Sequence, residues 1–400
     1  MQNCRMKAIA VALAAAALLA TAAAAQTERV LYSFSQSNGS YPFGRLARDK
    51  SGALYGTTSR GGESHAGTVF ALTQSGGAWK ESVLHNFSGI DGVSPAEGVT
   101  EDPTGALYGT TEKGGTHDRG AVFALTDSGG SWTEQVLHNF SQRQHDGYHP
   151  VSDLIIDRAT GALYGTTTQG GSRGCGTVFE LSQSGGVWSE TRLYNFTGYN
   201  ADGCYPLSDV HPDHTGALYG VTCLGGVGGN GTIYELTQSA GIWTEATLYS
   251  FRVGNDGQCP NDLAVASTGT LYATTVYGEA RNLGTVVELT PSHGTWTENV
   301  ILVFAGSDGE SPTGLLVDKS TGALYVTSAS GGANSSCGTV IKLSQSHKNW
   351  NEIVLHSFGN GTDGCYPEAR VIEDNKTGTL YGTTSGGGVH NQGTVYKLIP

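Results

Sequence analysis

Acidic residues recur in this chain within the pattern Asp-Gly-x-x-Pro, at Asp91, Asp146, Asp202, Asp256, Asp308 and Asp363, with Asn38 in the matching place nearest the N-terminus. A ring of such acids could bind a cation or a basic ligand. The same pattern also describes a turn. An Asx side chain accepts hydrogen bonds from its own loop, Gly supplies a positive φ, and Pro limits the start of the following strand. A residue present in every copy answers first to the fold, so these acids read as turn residues. They also lack the dense oxygen spacing of a calcium loop. Residues that differ between copies are better site candidates: Tyr41, Tyr148, His149, Tyr205 and Tyr366. Rings of this kind beside acids suit a sugar, by stacking and hydrogen bonding. Packing between neighbouring repeats is the alternative.

Catalytic signatures are missing from the sequence. It contains no Gly-x-Ser-x-Gly, no His-Glu-x-x-His and no phosphate-cradling loop. A second recurring acid (Asp49, Asp102, Asp157, Asp213, Asp318, Asp374) precedes a turn and also reads as turn chemistry. No Cys-x-x-Cys or paired-His spacing marks a metal site, and no catalytic residue, metal or cofactor is expected.

These residues are carried by a repeat. Leu-Tyr returns at Leu54, Leu107, Leu163, Leu218, Leu271, Leu324 and Leu380, a period long enough for several strands and typical of a propeller blade. In the third copy, VSDLIID, ALYGTT, TVFELS and WSETRLYNF read as four strands separated by Gly, Ser, Asn and Asp turns. The chain opens on a fourth-type strand, Val30 to Phe34, and finishes on a third-type strand, Gly393 to Leu398. The expected fold is therefore all-β: a seven-bladed β-propeller of four-stranded antiparallel blades, closed by the N-terminal strand completing the last blade. That closure removes two open sheet edges.

Residues 1–25 read as a signal peptide, with Arg5 and Lys7 before an Ala/Leu-rich stretch and Ala23-x-Ala25 at its end. Residues 26–400 form the propeller, with no further membrane span expected. Without Arg5 and Lys7, 20 basic residues face 35 acidic ones, a net charge of −15, which repels nucleic acid. The six remaining cysteines pair by internal repetition. Cys175 with Cys204 and Cys337 with Cys365 occur together in two copies, and Cys223 and Cys259 occupy the same loops of a third. Such bonds fit an oxidising compartment and link the loop between strands two and three to the connection into the next blade. That end carries the longest and most varied loops, where binding is placed.

The units LYGTTxxGG…GTVFxLT, as in Leu107 to Thr126 and Leu163 to Ser182, resemble the GloVer tandem repeat of choice-of-anchor bacterial proteins. The resemblance implies secretion and carries no catalytic residues. The family is taken to carry variable C-terminal sorting or anchoring segments, and surface anchoring through such a segment is not the expectation here. The function expected is an exported, non-catalytic propeller, secreted or periplasmic and monomeric. It would bind a carbohydrate, an envelope polymer or a protein partner on its loop-rich face. The alternatives are a polysaccharide lyase or glycoside hydrolase acting at the mouth, and an envelope scaffold for protein–protein interaction.

Overall fold

The computed structural model describes residues 27–400 apart from residues 96, 143–145, 199–201, 253, 255, 279–280, 293 and 348. The signal segment expected at residues 1–25 lies outside them. All regular elements among the described residues are strands. No helix there is long and apolar enough to cross a membrane.

Seven antiparallel blades surround one axis. Blade 1 is typical: Ala47–Arg48, Leu54–Thr58, Thr68–Ser75 and Ala78–Asn86 pair in that order from the axis outward. Blade 7 joins Ile372–Asp374, Thr379–Thr384 and Thr394–Ile399 to the N-terminal strand Thr27–Ser33. Thr27 lies opposite Ile399 and Ser33 opposite Thr394. The chain ends therefore close the ring as the shifted repeat requires.

The repeated sequence follows from the way blades meet. In Leu-Tyr-Gly-Thr-Thr the Leu is buried between sheets. The second Thr faces the Thr that opens the third strand; the buried hydroxyls of Thr58 and Thr68 are 2.8 Å apart and those of Thr167 and Thr177 2.9 Å. The first Thr reaches the next blade, where Thr57 donates to the Glu97 carbonyl at 2.6 Å and Thr166 to that of Ser208 at 2.9 Å. Phenylalanines ending the fourth strands fill the space between sheets, Phe87 meeting Phe123 edge-on at 5.1 Å. Trp132, Trp188 and Trp350 of the fourth strands meet tyrosines of neighbouring blades, Trp132 with its ring centre 6.2 Å from that of Tyr55.

The acids of Asp-Gly-x-x-Pro cap their own loops. Asp91 Oδ1 accepts from the Ser88 amide at 2.8 Å, Asp202 Oδ2 from Thr197 at 2.7 Å and Asp308 Oδ1 from Ala305 at 2.8 Å. The Pro completes a contact between blades. Pro95 of blade 2 sits against Gly67 of blade 1, whose φ is +100° and where an added Cβ would lie 2.6 Å from the Pro95 ring. The disulfides Cys175–Cys204, Cys223–Cys259 and Cys337–Cys365 tie the same pairs of loops covalently.

Candidate ligand-binding cavity

The residue just before each of these prolines has a left-handed backbone, at Tyr41, Ser94, His149, Tyr205, Cys259, Ser311 and Tyr366, with φ between 52° and 64°. This conformation is uncommon for residues with a side chain. Here it aims each amide back at the preceding blade: Tyr41 donates to the Gln392 carbonyl, His149 to Arg119, Tyr205 to Cys175 and Tyr366 to Cys337, at 2.8–3.0 Å. The backbone is thus fixed by blade stitching while the side chain is free to vary.

The five candidate rings stand around the loop-rich face, spread over four blade junctions. Only Tyr148 and His149 meet, with ring centroids 5.3 Å apart. Arg119 covers Tyr148 and Arg60 covers Tyr41, each at 4.9 Å. His149 Nδ1 lies 3.1 Å from the Glu112 carbonyl oxygen, and Tyr366 is the most open, at 47% exposure. None of the five lines the axial cavity.

That cavity, of about 350 Å³, opens at the same face and is built by residues that follow the prolines. One position on or just before the innermost strand of each blade turns toward the axis: Arg45, Gly98, Asp153, Asp209, Asp262, Gly314 and Arg370. The next residue in every blade is Leu or Val and is buried. Seven side chains cannot converge on one axis, and the two glycines make the room. A Cβ on Gly98 would lie 1.9 Å from the Arg45 carbonyl oxygen, and one on Gly314 would lie 2.3 Å from the Arg370 backbone.

The remaining five form a buried ion cluster. Arg370 pairs with Asp209, reaches Asp262 at 3.5 Å and Asp153 at 3.8 Å, while Arg45 holds Asp153 at 2.9 Å. Backbone amides complete the carboxylates: Gly98 donates to Asp153 at 3.0 Å and Leu315 to Asp262 at 2.8 Å. Below the ring, His211 Nε2 is 3.2 Å from Asp209. Asp209, His211 and Asp262 could meet one cation, but the Arg370 guanidinium already supplies positive charge to both carboxylates.

The field of this cluster sorts its acids. Burial works to raise the Asp209 carboxyl, yet Arg370, His211 and Arg45 hold it well below the usual range. Burial and the Asp209 charge raise Asp262 against the pull of Arg370 and His211. Burial would also lower Arg370, but three aspartates keep it firmly protonated. Glu97, on the cavity wall, is raised well above an ordinary glutamate by burial and by Asp153, Asp209 and Asp262, with Arg370 opposing. Ser152, Ser208, Asn261, Thr313 and Glu368 supply further polar lining.

The sequence candidates missed this cavity because they lay before the prolines. The available signal was the position two or three residues after them, which reads Arg, Gly, Asp, Asp, Asp, Gly, Arg across the copies while its neighbour stays aliphatic.

Two solved extracellular domains from B. thetaiotaomicron share the fold. One, of a protein assigned to one component systems, has a TM-score of 0.57 at 12% identity over 92% of this chain and 40% of its own. The other, of a hybrid two component system, has a TM-score of 0.58 at 13% identity over 92% and 41%. The chain thus spans about two fifths of either solved domain. A protein from Bacteroides uniformis assigned as a 6-phosphogluconolactonase has a TM-score of 0.53 at 13% identity over 82% of this chain and 86% of its own. At such identities the likeness concerns the fold alone. No curated protein matches the chain in sequence. The Gloeobacter/Verrucomicrobia repeat matches residues 19–213, 75–265 and 206–400 in overlapping spans, and the chain belongs to that repeat family.

Proposed function

We propose that this protein is an exported, non-catalytic propeller that binds a hydroxyl-rich ligand, a carbohydrate or a segment of an envelope polymer, in the axial cavity of its loop-rich face. The observation that carries this reading is the cavity itself. It is concave, lies in the size range of small-ligand sites, and is lined by hydroxyl, amide and carboxylate groups at the positions where the repeats differ. Tyr41, Tyr148, His149, Tyr205 and Tyr366 stand farther out, where they would meet the rest of a longer chain. Export agrees with the N-terminal segment, the three disulfides and the extracellular propellers of the same fold.

A non-catalytic role is favoured by the commitment of Asp153, Asp209 and Asp262 to arginines, which leaves none of them free as base or nucleophile. Glu97 supports the second reading, a glycoside hydrolase, because a carboxyl held protonated in a cleft is the form a general acid needs. One experiment separates them: residues 26–400 are screened against envelope and plant polysaccharides, with bound polymer and new reducing ends or unsaturated products measured together. Saturable binding without product, weakened at least about tenfold by Asn261→Ala, is the expected result. Product that disappears in Glu97→Gln would establish the hydrolase instead. Polymer binding indifferent to the cavity substitution would move the site out to the rim.

A further inference from the structure

Five carboxylates line or floor the axial cavity: Glu97, Asp153, Asp209, Asp262 and Glu368, against the two guanidiniums of Arg45 and Arg370. The pairing is one-sided. Arg45 is taken by Asp153 and Arg370 by Asp209 and Asp262, which leaves Glu97 and Glu368 on the wall without a cation. Glu368 accepts one hydrogen bond, from the Ser385 hydroxyl at 3.0 Å. The Glu97 side chain has no hydrogen bond or ion pair among the described residues, although part of its surface faces the cavity. An unpaired carboxylate in such a place is costly. The neutral lining offers no cation either, and Asn261 already donates its amide to the Pro312 carbonyl at 2.7 Å.

We propose that the cavity selects a ligand carrying a primary ammonium group, held by the Glu97 carboxylate above the Arg370 cluster. This rests on the reading of the cavity as the binding site and specifies the ligand's charge. An ammonium brings three donors and one positive charge to a wall rich in acceptors and short of cations. A calcium ion fits less well, because it needs six to eight oxygens and guanidiniums occupy the floor. Without ligand, burial and the neighbouring aspartates favour the protonated form of Glu97. An entering ammonium takes over the role of that proton. Binding therefore releases protons, and affinity rises with pH through the range in which Glu97 would otherwise stay protonated. The charged groups around Glu97 are Asp153, Asp209, Asp262 and Arg370, with Arg45 and His211 beyond them. The three aspartates and Arg370 keep their pairing on either side of the transition.

The test is calorimetric titration of residues 26–400 with a 2-aminoethyl glycoside and its 2-hydroxyethyl counterpart, which differ in charge and little in shape. The expected result is at least about tenfold tighter binding of the charged glycoside near pH 8. The preference shrinks near pH 5, and heats vary with buffer as protons leave. Glu97→Gln, which keeps the shape and removes the charge, abolishes both the preference and the proton release. Failure of the charged glycoside to bind overturns the proposal, as does a preference that survives in Glu97→Gln. Equal affinity for the two glycosides also overturns it, but leaves the carbohydrate site in place. Polysaccharide binding without ammonium selection is thus distinguishable from loss of the site altogether.

Discussion

Arg370 is the residue on which the centre of the molecule depends most. Three aspartates from three other blades converge on its guanidinium, and among the described residues only Asp153 pairs with a second arginine, Arg45. Replacing both partners of a buried ion pair by apolar groups is often neutral, whereas removing one leaves charge without compensation. Arg370→Leu should therefore lower the free energy of unfolding by about 3–5 kcal/mol, measured by chemical denaturation at neutral pH. The folded-state pKa values of Asp209 and Asp262 would rise in this variant. The deficit should then narrow as the pH falls toward 4, where protonation removes the excess charge. A deficit of equal size at both pH values would mean that Arg370 acts by filling space. Gly98 and Gly314 belong to the same design, since the arginine backbones lie where their side chains would be.

At the level of elements, each blade is held to the next by a repeated stitch. It consists of a left-handed residue donating to the previous loop, a Pro ring over a Gly, and a Thr hydroxyl reaching the neighbouring inner strand. Blade 7 depends on one further element, Thr27–Ser33, which pairs along the whole of Thr394–Ile399. Deleting residues 26–33 should expose that edge, uncover Leu31's place in the core and lower the melting temperature of the whole molecule in one transition. A shortened chain that melts like the parent would show that blade 7 closes without its outer strand. The stitch was legible in the sequence because it is local and repeated: Asp-Gly-x-x-Pro, Leu-Tyr-Gly-Thr-Thr and Gly-Thr-Val each perform the same task in nearly every blade. The shifted frame at the chain ends gave the closure for the same reason. Arg45, Asp153, Asp209, Asp262 and Arg370 were not legible as a site. They become neighbours only across the axis, between blades far apart in sequence, and nothing local in Ser-Asp-Leu or Ala-Arg-Val marks their partners. The candidate rings stood out as variable, and Tyr41, His149, Tyr205 and Tyr366 can vary because the stitch at their positions is made by backbone atoms.

Across the whole molecule the blade seams repeat an electrostatic conflict. Each fourth strand carries a Glu, namely Glu28, Glu81, Glu134, Glu190, Glu245, Glu298 and Glu352. In six seams it faces the capping Asp of the preceding blade; in the seventh Asn38 takes the place of that acid and donates to Glu81 at 3.1 Å. Burial raises all seven glutamates. Burial first, and then Asp363 and Asp91 respectively, push Glu28 and Glu134 up to about 7. In the unfolded chain these groups lose their protons near 4.5, while the folded chain retains them to higher pH. Between those values the folded state binds more protons, so its stability falls as pH rises. The contribution is fully present below about 4.5 and is lost by about 7 for Glu28 and Glu134. His356 opposes this below 6.5, because burial lowers it and favours its neutral form in the folded state. One histidine against seven glutamates leaves the sign unchanged. The melting temperature should therefore be higher near pH 5 than near pH 8. The double substitution Glu28→Gln, Glu134→Gln should raise it near pH 8 and flatten the dependence, as Asn38 already does at its own seam. Scanning calorimetry of parent and variant across that range decides the matter. A parent that gains stability from pH 5 to 8 would place both carboxylates of these pairs in the ionised state, and the acids at the axis would then have to be reread in the same way.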